Sequence, residues 1–120
     1  MPDLPIVLPY VPPPKRPPKR EPFLRPDGTT VEVTSRHVAA LRAGADCLSC
    51  PLYTVEGVGP VFGQVVPEAR AAIVGEAPGR TELEEGRVFI GASGRILDEC
   101  IEAGGGRRSE LTIVNALLCS

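Results

Sequence analysis

Aromatic residues and histidine are scarce in this chain of 120 residues. It has no tryptophan, two tyrosines, three phenylalanines and one histidine. The largest side chains of protein cores are therefore few, and a short chain buries a smaller share of its surface than a long one. The sequence predicts a thin core.

Long apolar runs are also missing. No stretch approaches the roughly 20 apolar residues that a membrane span needs. The apolar residues 6–8 are too few for the central region of a signal peptide, and basic residues follow them instead of preceding them. We therefore expect a cytoplasmic protein with no membrane partner. In a reducing compartment, its four cysteines favour metal or redox chemistry over disulfides.

Proline is abundant, but it is concentrated in one segment. Residues 1–26 hold ten of the 14 prolines and carry five basic residues against two acidic ones, a net charge of +3. Such a segment favours extended polyproline geometry, and we predict a disordered, basic arm over 1–26. It is either a solvated tail or a segment that attracts DNA phosphates by counterion release. Residues 27–120 carry a net charge of −5 and form the predicted domain.

The pattern of apolar residues and turn residues predicts an α/β fold. In chain order we expect a turn at Asp27-Gly28, a helix capped by Thr34 or Ser35, a buried strand over 69–74, a helix capped by Ser93 and a buried strand over 111–118. Strand, helix and strand in this order form a βαβ unit with parallel strands. Ligands of such sheets bind beyond the carboxyl ends of the strands, where Gly75, Glu76 and Asn115 lie.

Three of the four cysteines are candidate metal ligands. Cys47 and Cys50 are separated by two residues, which suits zinc, a redox dithiol or an iron–sulfur cluster. Cys119 follows the second strand and can supply a third thiolate. Cys100 falls on the apolar face of the predicted helix, so we expect it to be a buried core residue. A four-ligand zinc site is hard to assemble, because there is no second CxxC motif and His37 is the single histidine.

Four motifs occur in a specific order. They are Cys47-x-x-Cys50-Pro51-Leu52, Gly75-Glu76-Ala77-Pro78-Gly79, Gly86-x-x-Phe89-Ile90-Gly91-x-Ser93-Gly94-x-x-Leu97 and Ile113-x-Asn115 with Cys119. This combination resembles the family-four, iron–sulfur branch of the uracil-DNA glycosylase superfamily over roughly residues 37–120. The resemblance implies a doubly wound parallel sheet, hydrolysis of the N-glycosidic bond of a flipped-out uracil in DNA, and a role in base-excision repair.

The resemblance also implies roles for individual residues. Cys47, Cys50 and Cys119 would be three ligands of a 4Fe–4S cluster. Glu76 would be catalytic, positioning or polarising the attacking water, with Gly75 and Ala77 beside it in the substrate site. Phe89 would stack on the uracil and Asn115 would bind its edge. Taken singly, Glu76 also fits a solvated turn, Phe89 a core residue and Asn115 a strand-end cap.

In that family, two further elements of the pattern follow the position that corresponds to Ser120. They are a fourth cluster cysteine and a His-Pro-Ser catalytic loop. We therefore expect the chain to correspond to the N-terminal part of the domain, a partial sheet truncated after its second core strand. Two functions follow: a fragment or truncated form of a uracil-DNA glycosylase, or a non-catalytic remnant that binds nucleic acid or a partner and carries an incomplete iron–sulfur site.

Overall fold

The described part of the chain, residues 18–120 of a computed structural model, begins with a β-hairpin. Strands β1 (Arg20–Leu24) and β2 (Thr30–Thr34) pair antiparallel. At the turn the Asp27 carboxylate accepts hydrogen bonds from the backbone N–H and the hydroxyl of Thr29, at 2.9 and 2.6 Å. Gly28 has a φ of +86°, which glycine adopts without steric cost. The turn predicted at Asp27-Gly28 is thus confirmed.

Strand β1 lies inside the segment that was expected to be disordered. Pro22 stands opposite Glu32 in the hairpin register. The Arg25 N–H donates to the Thr29 carbonyl and the Ser35 N–H to the Lys19 carbonyl. Pro22 therefore falls at a non-hydrogen-bonded pair, and its missing N–H removes no ladder hydrogen bond. The prediction of an arm extending to residue 26 is therefore wrong for Arg20–Leu24. Residues 1–17, which hold most of the rest of the predicted arm, lie outside the described residues.

Helix α1 (Ser35–Arg42) follows β2 directly, and two reciprocal hydrogen bonds cap its N-terminus. The Thr34 hydroxyl accepts from the backbone N–H of His37, and the His37 ring accepts from the backbone N–H of Thr34, which forms a capping box. The predicted cap at Thr34 is confirmed. After the helix, Gly44 has a φ of +94°, and a 3-10 helix (Cys47–Ser49) carries the first candidate ligand.

The second half of the described chain is the predicted βαβ unit, but the strand predicted to be buried over 69–74 spans Ala72–Gly75 and is not buried, since Val74 is 64% exposed. Strand β3 (Ala72–Gly75) pairs parallel with β4 (Thr112–Asn115), and helices α2 (Arg80–Glu85) and α3 (Ala92–Ala103) connect them. On the other side of β4, Gln64 forms an antiparallel bridge with Ile113. The α/β class is therefore borne out. The two sheets of residues 18–120 have two strands each, so the doubly wound parallel sheet stays a prediction.

Helix α3 differs from its prediction in two respects. Its N-cap is Gly91, not Ser93, and the carboxylate of Glu82 accepts from the Gly91 N–H at 3.1 Å. Cys100 is exposed, so its prediction as a core residue is wrong. Gly94 is the buried residue of this helix, which packs through its first turn and leaves Ile96 62% exposed.

The core of residues 18–120 consists of aliphatic side chains. Its buried members are Val31, Val33, Ala40, Val61, Val66, Val88 and Ile113. Arg36 of α1 donates to the Leu83 carbonyl of α2 at 2.6 Å and so links the hairpin side of the molecule to the βαβ unit. Among residues 18–120, no helix has the length and apolar character that a membrane crossing requires.

Candidate functional site

The carboxyl ends of the two parallel strands meet at the predicted site. Gly75 is the register partner of Asn115. Beyond the strands, the N–H groups of Ala116 and Leu117 donate to the carbonyls of Gly75 and Glu76, at 2.8 and 2.9 Å. These bonds hold the start of the Gly-Glu-Ala-Pro-Gly turn against the segment after β4, so the two chain segments form one rim.

The aromatic ring of Phe89 lies over Gly75. A β-carbon built on Gly75 would approach Cε2 of Phe89 to 2.7 Å and would overlap its Cζ and the Oδ1 atom of Asn115. The structure therefore brings together three of the residues predicted to bind substrate, although Phe89 stands 14 positions after Gly75 and Asn115 another 26. Phe89 has a φ of +50°, which is uncommon for a residue other than glycine.

Asn115 contributes a polar atom that lacks a partner. The residue is 7% exposed, and its Oδ1 is buried with no hydrogen-bond partner among the described residues. An unpaired buried acceptor costs roughly 1–3 kcal/mol. Such an atom beside an aromatic ring suits a flat ligand that presents an N–H group. The strand-end cap considered for Asn115 would have satisfied this oxygen.

Glu76 and Ala77 continue from Gly75 along the same rim. The Glu76 side chain is exposed, and Ala77 is half-buried. The turn is held at its far side, where the Ser120 hydroxyl donates to the Pro78 carbonyl at 2.7 Å. A carboxylate with access to solvent can contact a water molecule, which fits the predicted role of Glu76 but does not by itself distinguish it from a solvated turn residue.

Arg108 contacts the turn that carries Phe89, which the sequence pattern did not indicate. Its guanidinium donates to the carbonyls of Val88 and Phe89, the latter at 2.6 Å, and pairs with the Asp98 carboxylate at 3.0 Å. Its own backbone carbonyl accepts from the amide of Gln64 at 2.8 Å. The sequence signal was slight, since Arg108 is the second of two consecutive arginines ahead of a strand.

The three candidate cysteine ligands are half-buried and influence one another. Burial raises the pKa of the Cys47 thiol, and the neighbouring Cys50 and Asp46 raise it further. Burial also raises the pKa of Cys119, followed by the effects of Cys47 and Cys50. The fold thus brings the strand-end cysteine near the CxxC pair.

The fit of these thiols to an iron–sulfur cluster is incomplete. Thiolates are the donors that such clusters require, and neighbouring thiols that oppose one another's ionisation suit a cationic centre. Within residues 18–120, however, no group of three histidine, cysteine or acidic side chains is arranged to hold a metal ion. We therefore derive no chemical step through a cluster.

A cavity of about 440 Å³ opens beside this cysteine region. His37, Pro51, Arg80, Cys119 and Ser120 contribute to its wall. Gly75, Phe89 and Asn115 do not, so this cavity is separate from the predicted substrate site. The unpaired Oδ1 of Asn115 points to ligand binding more directly than the volume does, because a hollow alone has no chemical preference.

A sequence profile described as "Uracil DNA glycosylase superfamily" matches residues 62–120. Residues 62–120 are therefore similar to this superfamily. The chain is 39% identical over 74 residues to the type-4 uracil-DNA glycosylase of Pyrobaculum aerophilum, which covers 62% of this chain and 37% of that protein. It is 36% identical over 73 residues to the type-4 enzyme of Thermotoga maritima, covering 61% and 38%. The resemblance predicted from the motifs is confirmed.

The match to uracil-DNA glycosylases is partial. The chain spans little more than a third of the length of these relatives. The matched region of the superfamily includes the predicted substrate residues, Arg108 and Cys119, whereas Cys47 and Cys50 precede it. The roles of the individual residues remain predictions.

Proposed function

We propose that this chain recognises uracil flipped out of DNA and takes part in hydrolysis of its N-glycosidic bond, as in base-excision repair. The observation that carries the proposal is the meeting of the Phe89 ring with the buried, unpartnered Oδ1 of Asn115 above Gly75. An extruded base loses its stacking partners, and an aromatic face replaces them. Similarity to type-4 uracil-DNA glycosylases supports the choice of uracil.

Asn115 fits the hydrogen-bonding edge of uracil. Uracil presents an N3–H donor, whereas the N3 atom of cytosine is an acceptor. The Oδ1 atom of Asn115 is an acceptor without a partner, so it gains a hydrogen bond from uracil. Opposite the same oxygen, cytosine N3 would leave two acceptors facing each other, which a buried site disfavours.

Glu76 is proposed to act on the water molecule. Hydrolysis breaks the bond between C1′ of the sugar and N1 of uracil, the water oxygen bonds to C1′, and the departing uracil carries the electron pair on N1. Positive charge develops on the sugar, so a nearby carboxylate stabilises the transition state and accepts the proton of the water. Glu76 is exposed and directly follows Gly75, which suits this position.

A cofactor role is proposed for the cysteines. Cys47, Cys50 and Cys119 would supply thiolate ligands to a 4Fe–4S cluster, and the effects of these thiols on one another's pKa support their proximity. When bound, such a cluster would tie the CxxC segment to the end of β4. In this proposal the cluster acts on the structure, and the substrate chemistry is left to Glu76, Phe89 and Asn115.

A second candidate function is binding of uracil-containing DNA without hydrolysis. The place of the single histidine favours it. His37 is buried in the capping box of α1, so its imidazole is not available to donate a proton or hydrogen bond to the departing base. The basic residues of 1–26 would add affinity for DNA phosphates in either case.

Uracil release from a single-stranded oligonucleotide tests the proposal. The chain is purified anaerobically, its visible absorption is recorded, and Glu76→Gln, Asn115→Leu and Arg107→Ala are compared with it. We expect release to fall by roughly 10²–10⁴ in Glu76→Gln, the usual range for loss of a general base. Arg107, which is exposed, is the control and should leave release unchanged. Uracil-specific binding without release would support the second candidate, and absence of both would contradict the proposal.

A further inference from the structure

The conformation of Phe89 needs support from the rest of the fold. Its φ of +50° places it in the left-handed region, where the β-carbon crowds the backbone of a non-glycine residue. Such conformations persist when surrounding contacts determine them, and they concentrate at ligand sites. Because the ring of Phe89 lies over Gly75, the contacts that determine this turn also determine where the ring lies.

Arg108 makes those contacts. One guanidinium group donates to two consecutive carbonyls, those of Val88 and Phe89. The planar fork of arginine fixes both acceptors at once, which a single donor on a flexible chain does not do. The Arg108 side chain is 24% exposed, so water competes little for these bonds.

Arg108 is itself held at two points, its guanidinium and its backbone carbonyl. Asp98 of α3 pairs with the guanidinium at 3.0 Å. The backbone of Arg108 lies just before β4, where the Gln64 amide donates to the carbonyls of Arg108 and Leu111, both at 2.8 Å. The same strand carries Asn115 at its other end. Arg108 therefore connects the Phe89 turn to the strand that presents the second uracil-binding residue.

We propose that Arg108 is a positioning residue for uracil recognition: by holding the Val88 and Phe89 carbonyls, it keeps the Phe89 ring over Gly75 at stacking distance from a base bound to Asn115. Arg108 does not contact the base in this arrangement and acts through Phe89. The inference rests on the proposed function for the identity of the base. The placement of the ring can be measured without any ligand.

The first test reads ring placement by NMR on the full chain labelled with ¹⁵N. The ring current of Phe89 shifts the amide resonance of Gly75, and Phe89→Ala gives the reference without the ring. We expect Arg108→Ala to move this resonance most of the way to the reference, Arg108→Lys to move it partly, and Arg107→Ala to leave it unchanged. Unaltered resonances of Val31 and Val33 in the hairpin establish that the variants are folded.

The second test is a double-mutant cycle on binding. The probe is a single-stranded oligothymidylate with one central 2′-fluoro-2′-deoxyuridine. The fluorine slows cleavage because it disfavours positive charge on the sugar. The same oligonucleotide with thymidine at the central position is the reference. We expect Arg108→Ala to weaken uracil-specific binding about 10-fold, in line with loss of hydrogen bonds from a charged group. In the Phe89→Ala background the same substitution should have no further effect.

The outcomes separate the two proposals. A Gly75 resonance that Arg108→Ala leaves at the wild-type position overturns the positioning role, whatever the binding result. Additive effects in the cycle also overturn it, because they show that Arg108 acts independently of Phe89. The Gly75 resonance of Arg108→Ala can move as expected while the wild-type chain fails to distinguish the uracil probe from the thymidine reference. In that case the effect of Arg108 on the ring stands and the proposed function is overturned. If Arg108→Ala fails to fold, Arg108→Lys and Arg108→Gln decide by the same measurements.

Discussion

Gly75 and Phe89 share one space: the ring of Phe89 occupies the volume into which any side chain at position 75 would project. A β-carbon there would also overlap the Oδ1 atom of Asn115. Glycine at position 75 is therefore required by the two side chains above it, and its φ is not in the left-handed region. The smallest side chain, a methyl group, should therefore disturb the site without unfolding the chain.

Gly75→Ala should accordingly weaken uracil recognition while the chain stays folded. The methyl group displaces the movable ends of Phe89 and Asn115, and we expect uracil-specific binding to weaken by at least about 10-fold. Gly104→Ala is the matched control, because a β-carbon there meets its nearest atoms at 3.5 Å, an ordinary contact. Binding is measured with the fluorinated probe and folding by circular dichroism. Wild-type affinity in Gly75→Ala would contradict the placement of the ring.

Gly94 in the first turn of α3 should be a stability position. A β-carbon on Gly94 would overlap the backbone carbonyl of Phe89, and a backbone atom cannot rotate away as a side chain can. We expect Gly94→Ala to lower the free energy of unfolding by about 1–3 kcal/mol, the usual cost of overpacking, despite the better helix propensity of alanine. Thermal unfolding measures this, at roughly 4–8 °C per kcal/mol for a domain of this size. Gly104→Ala again serves as control, and equal melting temperatures for the two variants would contradict the contact.

His37 should make stability fall as the pH falls below neutrality. Burial lowers the pKa of His37 below its ordinary 6.5, and the charges of Arg20 and Arg36 lower it further. Its Nδ1 accepts from the Thr34 N–H, which requires the neutral ring. At pH 8 the ring is neutral in both folded and unfolded chains. As the pH falls through the unfolded value, only the unfolded chain takes up the proton, so stability decreases until the folded pKa is passed.

His37→Gln isolates this effect. Glutamine can replace histidine in the capping box and does not titrate. Urea unfolding at several values between about pH 8 and pH 5 should show the loss in the wild type and a flatter profile in the variant. Asp27 does not interfere, because the Thr29 hydroxyl lowers its pKa below 3.8. Parallel profiles would show that His37 is not the titrating group.

Local chemistry made much of the fold predictable. An Asp-Gly pair between apolar residues specifies a hairpin turn, and Thr34 caps α1 because its hydroxyl can reach the N–H of His37. The order of strand, helix and strand predicted the parallel pairing of β3 with β4, and with it the meeting of Gly75 and Asn115 at one edge. The motif around Phe89 indicated a ligand site before any geometry was available.

Other features depend on three-dimensional contacts that a single sequence does not display. Nothing in the sequence distinguishes Arg107 from Arg108, and only the fold shows which guanidinium reaches the Phe89 turn. The helical spacing of Cys100 with apolar residues predicted that Cys100 is buried. Such spacing defines one face of a helix, but it does not show what packs against that face. The proline content suggested that no strand could form before residue 27, which overlooked that an edge strand accommodates Pro22.

The cysteines provide the last prediction. The raised pKa values of Cys47 and Cys119 mean that these thiols stay protonated near neutral pH in the metal-free chain. Binding of iron to the proposed ligands must therefore release protons, and the yield of cluster should rise with pH. Anaerobic reconstitution with iron and sulfide at pH 7 and pH 8.5, followed by visible absorption and proton release, measures both.

Substitution of the cysteines identifies which of them are ligands. Cys47→Ser and Cys119→Ser should lose the brown colour, since a hydroxyl is a far poorer ligand for iron than a thiolate. Cys100→Ser should keep the brown colour. Cys100 is exposed on α3, and it is not among the groups that raise the pKa of Cys47 or Cys119. Equal loss of colour in all three variants would point to nonspecific iron binding by free thiols. Equal retention would show that the proximity of Cys119 to the CxxC pair serves packing, so that the similarity to type-4 uracil-DNA glycosylases would not extend to the cofactor.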